Sequence, residues 1–277
     1  MLDQLKLRCF ASVDQFRTLG DTIDTPTGQL TYIDNGASVL AVGHLDYVDW
    51  TRPRISRSGQ TIRCPQLDDR LGVWTILDVL PKLGINVDVL LTDSEEIGQS
   101  TAQWFDSPKR YNWMVEFDRR GTDAVLYQYD TDEQRERLED VGFDIGRGSF
   151  SDISYLEHLG ICGFNVGIGY HHEHTRRCYA KLNDTWSQIR KFERYWSSWR
   201  DTPMEYVKAP VKPVSGWWDY ECYVCNRMIN WKDNVCPDCG TDQYDDYWQC
   251  EHCNHDNYIV DERCVCGEYR SEHCITY

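Results

Sequence analysis

Residues 38–49 read SVLAVGHLDYVD, an apolar β-type run that closes on His44, with Asp46 two residues beyond. Side chains at the carboxyl end of a strand in an open α/β sheet project into the crevice where ligands bind. The stretch therefore predicts a strand and puts a histidine at its useful end. Asp46 is placed to accept the second imidazole N–H and fix the ring's tautomer. Outward from it the pattern repeats. β-type runs at 87–91, 113–117, 124–129 and 163–168 are rich in β-branched or aromatic residues, and helical stretches lie between them. Leu71–Leu83 has helical apolar spacing and ends at Gly84, while Asp184 is placed to cap a helix running to about Trp199. Such alternation predicts an α/β fold, a three-layer α/β/α sandwich on a mixed, mostly parallel sheet.

The chain has 277 residues, 41% of them apolar, enough to bury a sizeable core. Residues 1–200 carry the α/β pattern. Residues 201–216, DTPMEYVKAPVKPVSG, hold three prolines and little periodicity, which predicts an extended linker. Residues 217–277 form a tail with 13 acidic side chains against 4 basic ones. A formal charge of −16 over the whole chain argues against nucleic acid as main partner, because nonspecific affinity for a phosphate backbone comes from Lys and Arg. The opening MLDQLKLRCF lacks the apolar run of a signal peptide, and no stretch approaches the roughly 18 apolar residues that span a bilayer. A cytoplasmic chain with no membrane partner, acting on peptides or small molecules, is expected.

Four more stretches resemble the first in design. QLDDRLG offers Asp68 and Asp69 at a helix start, and VLLTDSEEIG offers Glu95 and Glu96 after a β-type run. MVEFDRRG offers Asp118 after another, and GYHHEHTRR offers His171, His172 and His174 after a third. Singly, each has a plain structural account: an aspartate at a helix start is usually a cap, and an acidic pair is usually a solvated turn. Together they supply what two adjacent zinc ions need. Each ion requires imidazole and carboxylate ligands, one carboxylate is shared, and a separate carboxylate acts on water.

In order and local context these motifs resemble the co-catalytic zinc exopeptidases and deacylases, a group that includes bacterial aminopeptidases, peptidase T, carboxypeptidases and acyl-amino-acid deacylases. The matching elements are H-x-D at His44 and Asp46, L-D-D-R-x-G around Asp68, S-E-E-I-G at Ser94 to Gly98, F-D at Asp118 and H-T at His174 and Thr175. The resemblance implies two catalytic zinc ions. His44 and Asp118 would hold one, Glu96 and His174 the other, and Asp68 would bridge them. It also implies that Glu95 is the general base, taking a proton from water and passing it to the leaving amine. Arg54, Tyr170 and His172 are candidate substrate contacts. Cys178 departs from the pattern, standing where relatives often carry a glutamate, and the run of histidines leaves the last ligand open between His172 and His174. Only 55 residues separate Asp118 from His174, too few for the lid or dimerisation domain of many relatives. The expected activity is hydrolysis of an amide bond by a compact exopeptidase, with a peptide substrate. The alternative on the same core is an N-acyl amino acid deacylase.

Eight of the 13 cysteines crowd the tail in close pairs. Cys222, Cys225, Cys236 and Cys239 form two C-x2-C knuckles ten residues apart, the spacing that closes one tetrahedral zinc. Cys250, Cys253, Cys264 and Cys266 repeat the scheme with a shortened second knuckle. The stretch from Trp248 to Cys264 resembles the Ran-binding-protein type of zinc finger. Two structural zinc ions holding small zinc-ribbon modules are expected, since modules without much apolar core fold on metal. A protein partner for the ribbons, with the α/β body as a non-catalytic scaffold, is the chief alternative to an enzyme.

Overall fold

The structure is a computed structural model that describes residues 2–48 and 53–207, together with four short strands at 220–221, 228–229, 247–249 and 256–258. The chain forms two compact units, Met1–Lys208 and Ala209–Tyr277.

The first unit opens with helices α1 (Leu2–Phe10) and α2 (Val13–Arg17), then strands β1 (Asp21–Thr25), β2 (Gly28–Ile33) and β3 (Val39–His44). A small β4 (Ser56–Ser58) and β5 (Thr61–Arg63) precede α3 (Leu67–Trp74), and β6 (Asp88–Thr92), β7 (Trp113–Arg119) and β8 (Asp123–Val125) follow. Helix α4 (Asp132–Asp140), β9 (Asp144–Ile145), β10 (Gly163–Gly167), β11 (Tyr170–His171), β12 (Tyr179–Lys181) and α5 (Leu182–Trp199) complete it. Eight strands make one sheet in the order β1-β2-β6-β3-β7-β10-β8-β9. Its centre, β6-β3-β7-β10, is parallel, and antiparallel pairings bring in β2 and β8. The mixed, mostly parallel sheet agrees with the expected α/β class.

The central strands are buried along their length, as strands covered on both faces must be. One face meets helices. Trp113 packs edge-on to Phe192 and Tyr195 of α5, and Phe117 to Phe192 at 4.9 Å. Helix α3 comes closer still: a Cβ on Gly72 would lie 2.7 Å from the Phe117 carbonyl, so the glycine lets the helix start sit directly against β7. On the opposite face Ile153, in a 3-10 segment Asp152–Leu159, lies over Gly163 and near Met114. The third layer is thus built partly from short 3-10 segments.

Three sequence expectations shift. The run 124–129 is a strand only to Val125, because Tyr127 takes a left-handed φ of 48° and turns the chain into a 3-10 turn. The helix expected at 71–83 begins at Leu67 and passes through a π-type turn and a 3-10 turn before Gly84, at φ 72°, ends it. Residues 201–206, expected to be the start of a linker, are instead docked on the first unit. Met204 is buried, its N–H donates to the Asn112 carbonyl, and its own carbonyl accepts from Cys162 N–H at 2.8 Å. An apolar side chain among the linker prolines is what ties this piece down.

In the second unit Tyr220–Glu221 pairs antiparallel with Met228–Ile229, and Tyr247–Gln249 with Asp256–Tyr258. All eight cysteines assigned to ribbons, Cys222, Cys225, Cys236, Cys239, Cys250, Cys253, Cys264 and Cys266, lie outside the described residues.

Candidate metal centre

Strands β3, β6 and β7 run parallel and adjacent, so their carboxyl ends open on one edge of the sheet. His44 ends β3 in register with Thr92 at the end of β6, and Asp118 stands near the end of β7. The loop after β6 presents Glu95 and Glu96. Asp68 arrives at the start of α3, where the Asp68–Asp69 peptide is cis. His174 lies in the loop joining β11 to β12, and β12 pairs with β5, the strand leading to Asp68. That pairing delivers the histidine beside the aspartate.

Asp68 reaches both imidazoles. Its Oδ1 is 3.2 Å from His44 Nε2, and its Oδ2 is 3.1 Å from His174 Nε2. Asp118 Oδ2 approaches His44 Nε2 at 3.4 Å, and Glu96 Oε2 approaches His174 Nε2 at 2.9 Å. One carboxylate therefore faces two histidines, each with its own second carboxylate. Glu95 adds a donor: ligand atoms of His44, Glu95 and Asp118 lie within 4.8 Å of one another, as do those of His44, Asp68 and Glu96.

Asp46 organises the set from behind. His44 Nδ1 is 3.0 Å from the Asp46 carbonyl, and the Asp46 carboxylate accepts from Glu95 N–H at 3.3 Å and Glu96 N–H at 3.1 Å. Asp69 Oδ1 accepts from Gly72 N–H at 3.1 Å. The Ser94 and His174 backbones have left-handed φ values of 65° and 57°, which non-glycine residues hold only where the surroundings enforce them.

Burial opposes ionisation of Asp68, yet hydrogen bonds from His174 and His44 carry its carboxyl well below the usual range. Its neighbours retain protons. Burial, with the Asp68 charge beside it, lifts Asp118 to about 7, and burial, with Asp118 and Asp152 near, lifts Glu95 to about 9. Hydrogen bonds to Asp68 and Glu96 raise His174 to about 10, and against its burial Asp118 raises His44 well above the ordinary value. So many carboxylates in one buried place call for positive charge. Glu96 Oε1 is buried without a hydrogen-bond partner, which an incoming ion would satisfy. Imidazoles with carboxylates are a donor set for a divalent metal such as zinc, so the residues fit such an ion.

A pH test follows. These four groups bind protons more tightly in the folded, metal-free protein than in an unfolded chain, whose histidine, aspartate and glutamate titrate near about 6.5, 3.9 and 4.3. Their stabilisation is complete below those values and is lost as pH rises through the folded ones. The chelator-stripped protein should therefore lose stability steadily between pH 6 and 9, and loading with zinc should release protons and flatten the profile. Parallel denaturation midpoints across that range, with and without zinc, would contradict this.

Of the candidate substrate contacts, Tyr170 is placed otherwise: it is buried, and its hydroxyl donates to Asp118 Oδ1 at 2.9 Å. His172 is exposed, with its ring 5.8 Å from that of Tyr179, and Arg54 is exposed. The structure brings His174, not His172, to Asp68. Sequence reasoning missed Glu116 and Asp152, both fully buried. Glu116 could have been noticed, since a residue two before Asp118 on a strand shares its face.

No protein-family model and no curated protein matches this sequence. Solved structures do. The aminopeptidase PepT from Bacillus cereus superposes with a TM-score of 0.53 at 11% identity, over 70% of this chain and 96% of its own. The fold is peptidase-like. The TET aminopeptidase of a marine-sediment Thaumarchaeota archaeon gives 0.51 at 13% identity, over 69% of this chain and 94% of its own. An aminopeptidase from the archaeon Desulfurococcus kamchatkensis gives 0.50 at 13% identity, over 72% and 89%. Identities this low speak for shared architecture. Among the described residues no helix is long and apolar enough to cross a membrane.

Proposed function

We propose that the chain is a two-zinc metallopeptidase of the exopeptidase kind. The observation that carries the reading is that the two oxygens of Asp68 address different histidines, His44 at 3.2 Å and His174 at 3.1 Å. His44 and Asp118 would hold one ion, Glu96 and His174 the other, and Asp68 both. When bound, the ions would polarise the scissile carbonyl and lower the pKa of water. Glu95, grouped with His44 and Asp118, would take the proton from the attacking water and return it to the leaving amine. Asp46 holds His44 and the Glu95–Glu96 backbone in mutual register. Tyr170 fixes Asp118 through its hydroxyl rather than touching substrate.

The substrate is an amide, a peptide in the leading reading, and the aminopeptidases that share the fold favour an exopeptidase. Deacylation of N-acyl amino acids uses the same residues. In the tail, the cysteine pairs would close two further zinc sites whose work is to fold their modules. Metal analysis of the purified chain, with a panel of aminoacyl, dipeptide and N-acyl substrates, tests the whole. The expected result is about four zinc ions per chain, two of them readily stripped by chelator together with turnover. Two tightly held zinc ions, no strippable ones and no hydrolysis would instead indicate a scaffold.

A further inference from the structure

The loop bearing Glu95 and Glu96 leaves β6 after Thr92 and rejoins the body at Ser100. Both ends of that loop meet one carboxylate. Asp152 is fully buried and accepts hydrogen bonds from Thr92 Oγ1 and Ser100 Oγ. The Ser100 oxygen itself accepts from Ala102 N–H at 3.0 Å, which leaves its proton for Asp152. The 3-10 segment that Asp152 opens grips the loop a third time, through Tyr155, whose hydroxyl donates to the Gly98 carbonyl at 2.6 Å. Inside the loop, Gly98 N–H donates to Glu95 O at 2.8 Å and Gln99 N–H to Ser94 O at 2.9 Å. The loop is a closed, internally bonded unit held from outside by Asp46 at Glu95 and Glu96, by Ser94 Oγ on the Thr27 carbonyl at 2.8 Å, and at its neck by Asp152.

Burying a carboxylate is costly unless hydrogen bonds compensate, and a turn could be anchored with neutral groups alone. Thr92 is in register with His44, so a clamp on Thr92 sets the loop's height relative to that histidine. We infer that Asp152 is a positioning residue, a clasp across the neck of the Asp93–Gln99 loop that sets where Glu95 and Glu96 stand over His44, Asp68 and Asp118. What the two glutamates then do rests on the metallopeptidase reading above.

The test compares Asp152→Ala, Asp152→Asn and the milder Ser100→Ala. Zinc affinity is read by competition with a chromophoric chelator, kcat and KM on an amide substrate that the parent cleaves, and amide hydrogen exchange over residues 93–100. In Asp152→Ala one of the two strippable ions should bind roughly 10–100-fold more weakly, the usual cost of losing a partner that orients a ligand. Its kcat should fall more than KM changes, and exchange in the loop should quicken while the rest of the sheet stays protected. Asparagine can accept from one hydroxyl and donate to the other, so Asp152→Asn should recover most of each effect. Ser100→Ala should move every readout the same way by less. A folded Asp152→Ala with parental zinc affinity and parental loop exchange would overturn the inference, and so would an Asp152→Asn as impaired as the alanine variant. If the parent binds no strippable zinc, the metallopeptidase reading fails, and loop exchange still decides whether Asp152 is the clasp.

Discussion

Asp68→Asn should leave a folded protein that holds neither catalytic ion well. Among the described residues Asp68 is the one side chain whose oxygens approach both His44 and His174, so the amide removes a negative ligand from both positions at once. Its nitrogen would also point a donor at one of them. Loss of a direct, shared ligand should exceed the roughly 10–100-fold in affinity that losing an orienting partner costs. Titration with zinc should show both strippable ions weakened together, whereas Asp118→Asn or His174→Ala should weaken chiefly one. Two ions retained by Asp68→Asn with parental affinity would show that the shared carboxylate is not a bridge. The substitution should cost turnover as completely as chelation does.

Glu95→Gln is the complementary case, with metal kept and chemistry lost. The amide is nearly isosteric, and its backbone N–H still reaches Asp46, as that of Glu95 does at 3.3 Å. It cannot take a proton. A positioned general base contributes on the order of 10²–10⁴ in rate, so kcat should fall by about that factor while zinc content and KM stay near parental. Glu95 lies within ligand distance of His44 and Asp118, which makes zinc content the decisive companion measurement. Unchanged kcat would remove Glu95 from the base role, and loss of one zinc would make it a ligand instead.

The sequence was most informative where function and local structure coincide. His44, Asp118 and the Glu95–Glu96 pair follow runs that are largely apolar because their strands are buried on both faces, and such runs announce both strand and strand end. Asp152 was not legible. Its partners Thr92 and Ser100 are 60 and 52 residues away, and beside Ser151 it reads as an ordinary turn or cap residue. The partial 3-10 layer escaped for a related reason: segments such as Thr101–Trp104 are too short to develop a 3.6-residue period. The hydrogen bond from Tyr170 to Asp118 was not legible either, because the two residues are 52 positions apart and only the fold brings the hydroxyl to that carboxylate.

The docking of residues 201–206 bears on how the molecule can be taken apart. Helix α5 ends at Trp199, the natural place to cut if the last helix were the last piece of the body. Yet Asn112 O, Cys162 N–H and Gly160 O all spend their hydrogen bonds on Met204 and Tyr206. A shortened chain stopping at the helix end would strip the strap from the entry points of β7 and β10, baring backbone at the start of the strand that carries Asp118 and of its neighbour. The boundary of an autonomous α/β fragment therefore lies beyond Tyr206, well past the end of the last helix at Trp199.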